Sequence, residues 1–318
     1  MNTKYYPMNS AEVLDQVLDL YKKSFLKQVG ISVIFSIIFS VVLYIFIIVG
    51  AIGAMSMAFG AVAQGALAPG GFVAISVFIL LFFLAISMYS ALLSTGNALI
   101  TKKTFLGEPC DLGKVLGETF KKIWIATSAV IANMVALLPL IIVLGVFIFL
   151  YAIMLGGFID AGMNVMPIVI LSIFLILVVI AFFILYSTIT MLSVSVAIFE
   201  GRWFFSALMR GFSLAQPDFL KLMGIVAVWF IVTYALSYSI STLFDVGSFL
   251  AMSFLPADTA VIVSMIAWAV GIIISLVTSV LLAPLSGIFY TTVYMNQRFK
   301  HEGLDIELNL NALGSYKQ

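Results

Sequence analysis

Charge is absent from the apolar runs of this chain. Only 9% of its 318 residues are Asp, Glu, Lys or Arg, against 64% hydrophobic, where a soluble protein has about a quarter charged. No ionisable Asp, Glu, Lys, Arg or His falls inside the runs at 29–52, 72–100, 123–152, 166–199, 222–244 and 261–293. Proton- and cation-coupled carriers usually place such groups near the bilayer midplane, so their common signature is missing. Cysteine is nearly missing too: Cys110 stands alone, which excludes an intrachain disulfide. Its segment holds no His to activate the thiol. His301 is the one histidine, without the second ligand a zinc site needs or an evident partner for acid–base work. No Gly-rich loop followed by Lys and Ser or Thr is present, which removes a phosphate-binding loop. The chain is therefore expected not to be an enzyme and to need no cofactor or metal.

Each of the six runs meets or exceeds the roughly 20 residues needed to cross hydrocarbon. They must be helices, because lipid leaves free backbone groups unsatisfied and the alternation of a membrane barrel is absent. Lys and Arg fall on alternate sides of these runs: 4, 5, 3 and 3 in one set of segments and none in the other. Basic flanks are retained in the cytoplasm, which predicts six spans with both termini inside. Asp160, Asp245 and Asp258 are the acids assigned outside. The first run is too long for a signal-peptide core of about 7 to 15 residues, so it reads as a span and not as a cleaved export signal, and a multi-pass membrane protein is expected.

The cytoplasmic segments read as amphipathic helices. Over 9–28, Asn9 and Glu12 have capping-box spacing, and Val13, Leu14, Val17, Leu18, Tyr21 and Phe25 form one apolar stripe. Similar segments precede the third span (Val115, Leu116, Phe120) and the fifth (Trp203, Ala207, Leu208, Phe212). The expected plan is all-α: six transmembrane helices in three hairpins with amphipathic interfacial helices, followed by a charged tail at 294–318. Connections at Gly53 to Gly71, Gly156 to Pro167 and Asp245 to Ala260 read as surface loops or half-inserted helices. Internal repetition supports the three-hairpin plan. Ser24-Phe25-Leu26-Lys27-Gln28-Val29-Gly30-Ile31 matches Asp218-Phe219-Leu220-Lys221-Leu222-Met223-Gly224-Ile225, and Phe120-Lys121-Lys122 echoes Tyr21-Lys22-Lys23.

The candidate polar positions are hydroxyl and amide stripes. Ser32, Ser36 and Ser40 share a face of the first span. Ser87, Ser90, Ser94, Asn97 and Thr101 share one on the second, Thr233, Ser237 and Ser241 on the fifth, and Ser275, Ser279, Ser286 and Tyr290 on the sixth. Two readings stand: a polar cavity centred on Ser90, Ser94, Asn97, Asn133 and Ser286, or close helix packing with interhelical hydrogen bonds. Lys27, Arg202, Arg210 and Lys221 are candidate contacts to headgroups or to the membrane interface. Membrane lipids and other membrane proteins are the expected partners; nucleic acid is not.

Three stretches carry a family resemblance. They are Val13-Leu14-Asp15 with Leu20-Tyr21-Lys22-Lys23-Ser24-Phe25; Ala197-Ile198-Phe199-Glu200-Gly201 with Ala207-Leu208-Met209-Arg210-Gly211-Phe212-Ser213-Leu214; and Tyr294, Arg298, Lys300 with Glu302-Gly303-Leu304-Asp305-Ile306-Glu307-Leu308. Together these resemble the membrane domain found with some bacterial glycerophosphodiester phosphodiesterases and related multi-span proteins. The soluble catalytic barrel of that family has no room here, so the resemblance implies a helical module of the bacterial cytoplasmic (inner) membrane that anchors, scaffolds or handles lipid. It also marks Glu200 and Arg210, with Arg210 either holding a phosphate or paired with Glu200 or Asp218. The leading expectation is a non-enzymatic scaffold or accessory subunit of an envelope complex, with a transporter or lipid-handling protein as the alternative.

The orientation is testable. Cysteines introduced at Ala61, Gly162 and Ser253 should react in intact cells with a membrane-impermeant thiol reagent while Cys110 stays unlabelled; labelling of Cys110 from outside overturns it.

Overall fold

The structure, a computed structural model, describes residues 5–64, 69–160, 165–254 and 257–315. Ten α-helices follow one another in this part of the chain: α1 Ser10–Gln64, α2 Pro69–Phe105, α3 Leu112–Lys121, α4 Ile123–Asp160, α5 Val165–Thr190, α6 Ser193–Glu200, α7 Phe204–Ala215, α8 Phe219–Ser253, α9 Ala257–Glu302 and α10 Leu304–Ser315. There is no strand among the described residues. Six helical stretches are long and apolar enough to cross a membrane, and in their most apolar windows only 0 to 22% of residues are buried by protein. Such outward apolar surface far exceeds what water tolerates. The chain is an all-α, multi-pass membrane protein.

Several boundaries differ from those read in the sequence. The non-basic connections are mostly helical: α1 runs on to Gln64, α2 begins at Pro69, α4 reaches Asp160 and α8 reaches Ser253. Ala in these stretches favours helix and Gly weakens it without breaking it, so the helices extend beyond the apolar runs. What remains of the three expected loops, 65–68, 161–164 and 255–256, lies outside the described residues, as does Gly162. The fourth apolar run is two helices, α5 and α6, interrupted at Met191 and Leu192. At that break the Ser193 hydroxyl donates to the Thr190 carbonyl at 2.7 Å, the kind of side-chain bond that competes with a helix ladder. The expected tail is ordered as well: 294–302 completes α9 and α10 follows.

The chain forms two compact units. One comprises 15–127 and 233–292. Its core packs Leu20, Ile31 and Phe35 of α1 with Ala91 and Ile100 of α2 and Ile288 and Phe289 of α9, all 0 to 1% exposed. Small residues let the helices approach. A Cβ on Gly96 would lie 2.8 Å from Ile31, and one on Gly287 would lie 2.7 Å from Cβ of Asn97. Tyr21 donates to the Leu281 carbonyl at 2.8 Å, in the turn before Pro284, which breaks the helix ladder. Asp111 caps α3, accepting from the Gly113 amide, and Lys103 pairs with Glu118 at 2.9 Å. Burial lowers the affinity of Lys122 for its proton; Lys102 adds to this and Glu118 partly offsets it.

The other unit comprises 1–14, 128–232 and 293–318. Asn9 and Glu12 form the capping box, with bonds of 2.8 and 3.0 Å. Ahead of it, two amides grip extended backbone: Asn296 accepts from Met8 N–H at 2.7 Å and donates to its carbonyl at 3.1 Å, and Asn309 does the same for Tyr5 at 3.2 and 2.9 Å. Helix α7 packs on the α5–α6 break through Gly211, whose Cβ would meet Ser193 N at 2.9 Å.

Burial follows the repeat beyond the matched octet. At a separation of 194, Val13 and Ala207, Leu20 and Leu214, Gln28 and Leu222, Ile31 and Ile225, and Phe35 and Trp229 are all buried, whereas Leu26 and Leu220 are 82% and 76% exposed. In the middle hairpin the buried Val115, Thr119, Ala126 and Val130 answer Val13, Val17, Ser24 and Gln28. This register differs by three residues from the one that aligns Phe120 with Tyr21.

Replacing Gly287 by Leu should lower thermal stability in detergent by about 1 to 3 kcal/mol through overpacking against Asn97, whereas Gly30→Leu, with open space at its Cβ, should have a much smaller effect.

Candidate functional site

Four charged residues flanking the apolar runs, Glu200, Arg210, Arg298 and Glu302, form a closed network with Tyr294 within the second unit. Gly201 ends α6 in the left-handed conformation (φ 71°) that glycine adopts without strain, which turns the chain after Glu200. Phe204 then opens α7 at φ 47°, a costly value for a bulky residue, with its N–H bonded to Ser128 Oγ at 3.1 Å. The turn brings Arg210 back over Glu200: Nε donates to Oε2 at 3.0 Å. Arg210 also donates through a terminal nitrogen to Glu302 Oε1. Arg298 donates to Glu302 Oε2 at 2.7 Å and to the Tyr294 hydroxyl at 3.4 Å, and that hydroxyl donates to Glu200 Oε1 at 3.1 Å. Five side chains from α6, α7 and α9 thus make a ring in which each bonds to two others.

Tyr294 is fully buried and stacks with Phe199 at 5.5 Å. The Arg298 guanidinium lies 5.8 Å from the Tyr294 ring centre. A second cluster adjoins the ring in sequence. Asp218, at the α7–α8 junction, faces Lys221 at 3.1 Å, His301 at 3.5 Å and Lys300 at 3.8 Å.

The polar stripes divide between the two units. Asn97 is 1% exposed and packed against Gly287, the neighbour of Ser286, while Ser90, Ser94 and Ser286 are half-buried. Asn133 belongs to the other unit, where it fastens α4 to the α5–α6 break: its Oδ1 accepts from Ser193 at 2.7 Å and its carbonyl accepts from Tyr186 at 2.9 Å. Ser90, Ser94, Asn97 and Ser286 thus belong to one unit and Asn133 to the other.

Of the four basic candidates, Arg202 and Arg210 meet at Glu200. Arg210 is spent on two carboxylates; Arg202 is half-exposed and 3.4 Å from Glu200; Lys221 is exposed beside Asp218, and Lys27 is exposed.

Sequence reading missed Gln28, which donates to Thr101 at 3.0 Å and Ser24 at 3.3 Å, because it sits one residue before the first apolar run. Its place on the buried stripe Ser24, Gln28, Ile31, Phe35 was the available signal. Among the described residues, no group of three or more His, Cys, Asp or Glu has metal-binding geometry. Comparison with protein-family models, curated proteins and solved structures found no match.

The ring joins donors and acceptors that shield one another, so its members should couple. In a double-mutant cycle of Arg210→Met and Glu302→Gln, thermal unfolding should give a coupling of about 0.5 to 3 kcal/mol. Lys27→Ala, at an exposed position, should shift stability by no more than about 0.5 kcal/mol.

Proposed function

We propose that this chain is a non-enzymatic scaffold or accessory subunit of the bacterial inner membrane, with its basic segments and both termini in the cytoplasm. The observation that carries this reading is how the polar side chains are used. Asn133 bonds to Ser193 and Gln28 bonds to Thr101, so these two amides link helices, while Asn97 is buried and packed against Gly287. Interhelical hydrogen bonds of this kind contribute about 0.6 kcal/mol each and set helix register. The ring of Glu200, Arg210, Glu302, Arg298 and Tyr294 serves the same end, holding the basic ends of three helices in one arrangement.

On this reading, α3 and α7 are interfacial helices whose exposed aromatics, Phe120, Trp203 and Phe205, lie at headgroup depth. The resemblance to the membrane domain of glycerophosphodiester phosphodiesterases fits such a module, and its Glu200 and Arg210 then have a structural role. The charge bias of the segments supplies the orientation.

Purification from native membranes in mild detergent, with quantitative identification of what co-elutes, tests the proposal. A membrane protein partner at fixed stoichiometry, together with no solute flux in proteoliposomes of the purified chain, is expected. Flux that is lost on Asn97→Leu with the fold retained would sink it in favour of transport.

A further inference from the structure

A groove of 570 Å³ runs between α8 and α9, inside the unit formed by 15–127 and 233–292. That volume is in the range of small-molecule sites. Phe244 lies against Gly271, where a Cβ would come within 3.1 Å of the ring, and this contact sets the register of the two helices. Asp245, the first residue after the fifth apolar run, lines the groove with Trp268 and Gly271. A carboxylate at the end of a span and a 73% exposed Trp beside it belong at the depth of headgroups. From Ser264 to Ser279 the groove follows α9 for about 22 Å at 1.5 Å per residue, reaching well into hydrocarbon of about 30 Å.

The lining selects among occupants. Its hydroxyl protons are largely spent at home, since Ser241 donates to the Ser237 carbonyl and Ser279 to that of Ser275. They have little left to offer a phosphate or a sugar. The one full charge is negative, and Asp245 makes no ion pair among the described residues. Below it Ile272 and Leu276 are exposed, between the serines Ser241, Ser275 and Ser279. A carboxylate at headgroup depth attracts a cation. The complementary molecule has a cationic head at Asp245 and a long apolar chain below.

We propose that this groove binds an amine-bearing phospholipid, with its ammonium on the Asp245 carboxylate and one acyl chain lying between α8 and α9. The site rests on the six-span reading and does not depend on the scaffold role. A subunit that holds a particular lipid on its non-basic side would assemble in membrane containing that lipid.

The full chain, reconstituted in vesicles of equal phosphatidylethanolamine and phosphatidylglycerol and then extracted gently, tests it by mass spectrometry of the retained lipid. Phosphatidylethanolamine should be enriched by about fivefold, the factor expected of one ion pair at headgroup depth. Asp245→Asn should bring the two lipids to parity, and Asp245→Glu should restore the preference. Ile272→Trp, which fills the groove from its exposed wall, should lower total retention with the fold intact by gel filtration. Free ethanolamine should not displace the lipid, because the chain contributes the apolar contacts. Equal retention by the wild type, an unchanged preference in Asp245→Asn, or displacement by free ethanolamine overturns the proposal. So does disulfide linking of two copies through Ser275→Cys, which would make the groove a contact between chains.

Discussion

A peptide group in hydrocarbon has no water to bond, and each one left unpaired costs several kcal/mol. For a chain with apolar runs this long, that constraint leaves helices as the form of every crossing segment, and it drives charge to their ends. The rest of the structure follows from the two consequences. Helices that share one solvent gain little from the hydrophobic effect when they meet, so close approach must come from small residues and matched polar groups. Gly96, Gly211 and Gly287 each stand where another helix comes within 2.7 to 2.9 Å of a would-be Cβ.

The ends of the helices obey different physics. There the charges are part-exposed, with Glu200, Arg210, Glu302 and Arg298 side chains at 14 to 28%. A single pair at such exposure is weak. Closure changes the balance, because each carboxylate oxygen and each guanidinium is already oriented by its other partner and less side-chain freedom is lost per bond. The turn at Gly201 is what makes closure possible, since it returns α7 over the end of α6.

Much of this architecture was legible in the residues. The long runs and the alternation of basic segments specify six helices, and the Asn9–Glu12 spacing specifies the first cap, because both are local properties. The pairing of Arg210 with Glu200 was readable as one of two options, the carboxylates lying on either side in sequence. Its bond to Glu302 was not, since 92 residues separate them and no pattern links their segments. The break at Met191 escaped for a related reason: no Gly or Pro marks it, and its causes, the Ser193 hydroxyl and the backbone of α7, lie outside any apolar count. Asn133 read as a candidate cavity residue and Ser193 carried no reading, because only folding sets them 2.7 Å apart. The helical extensions past 53 and 156 were hidden by glycines, which read as turns where the chain holds its helix.

The two asparagine clasps on the N-terminal segment set an order of events. Asn296 and Asn309 reach Met8 and Tyr5 across 288 and 304 residues of chain. Helical hairpins can form as each pair of spans emerges, since their contacts are close in sequence, whereas contacts of this separation require synthesis to have passed residues 296 and 309. The segment at 5–8 is thus fastened later than the hairpins that follow it. Until then it is a loose strand whose backbone groups are open to water or to whatever escorts the nascent protein into the bilayer.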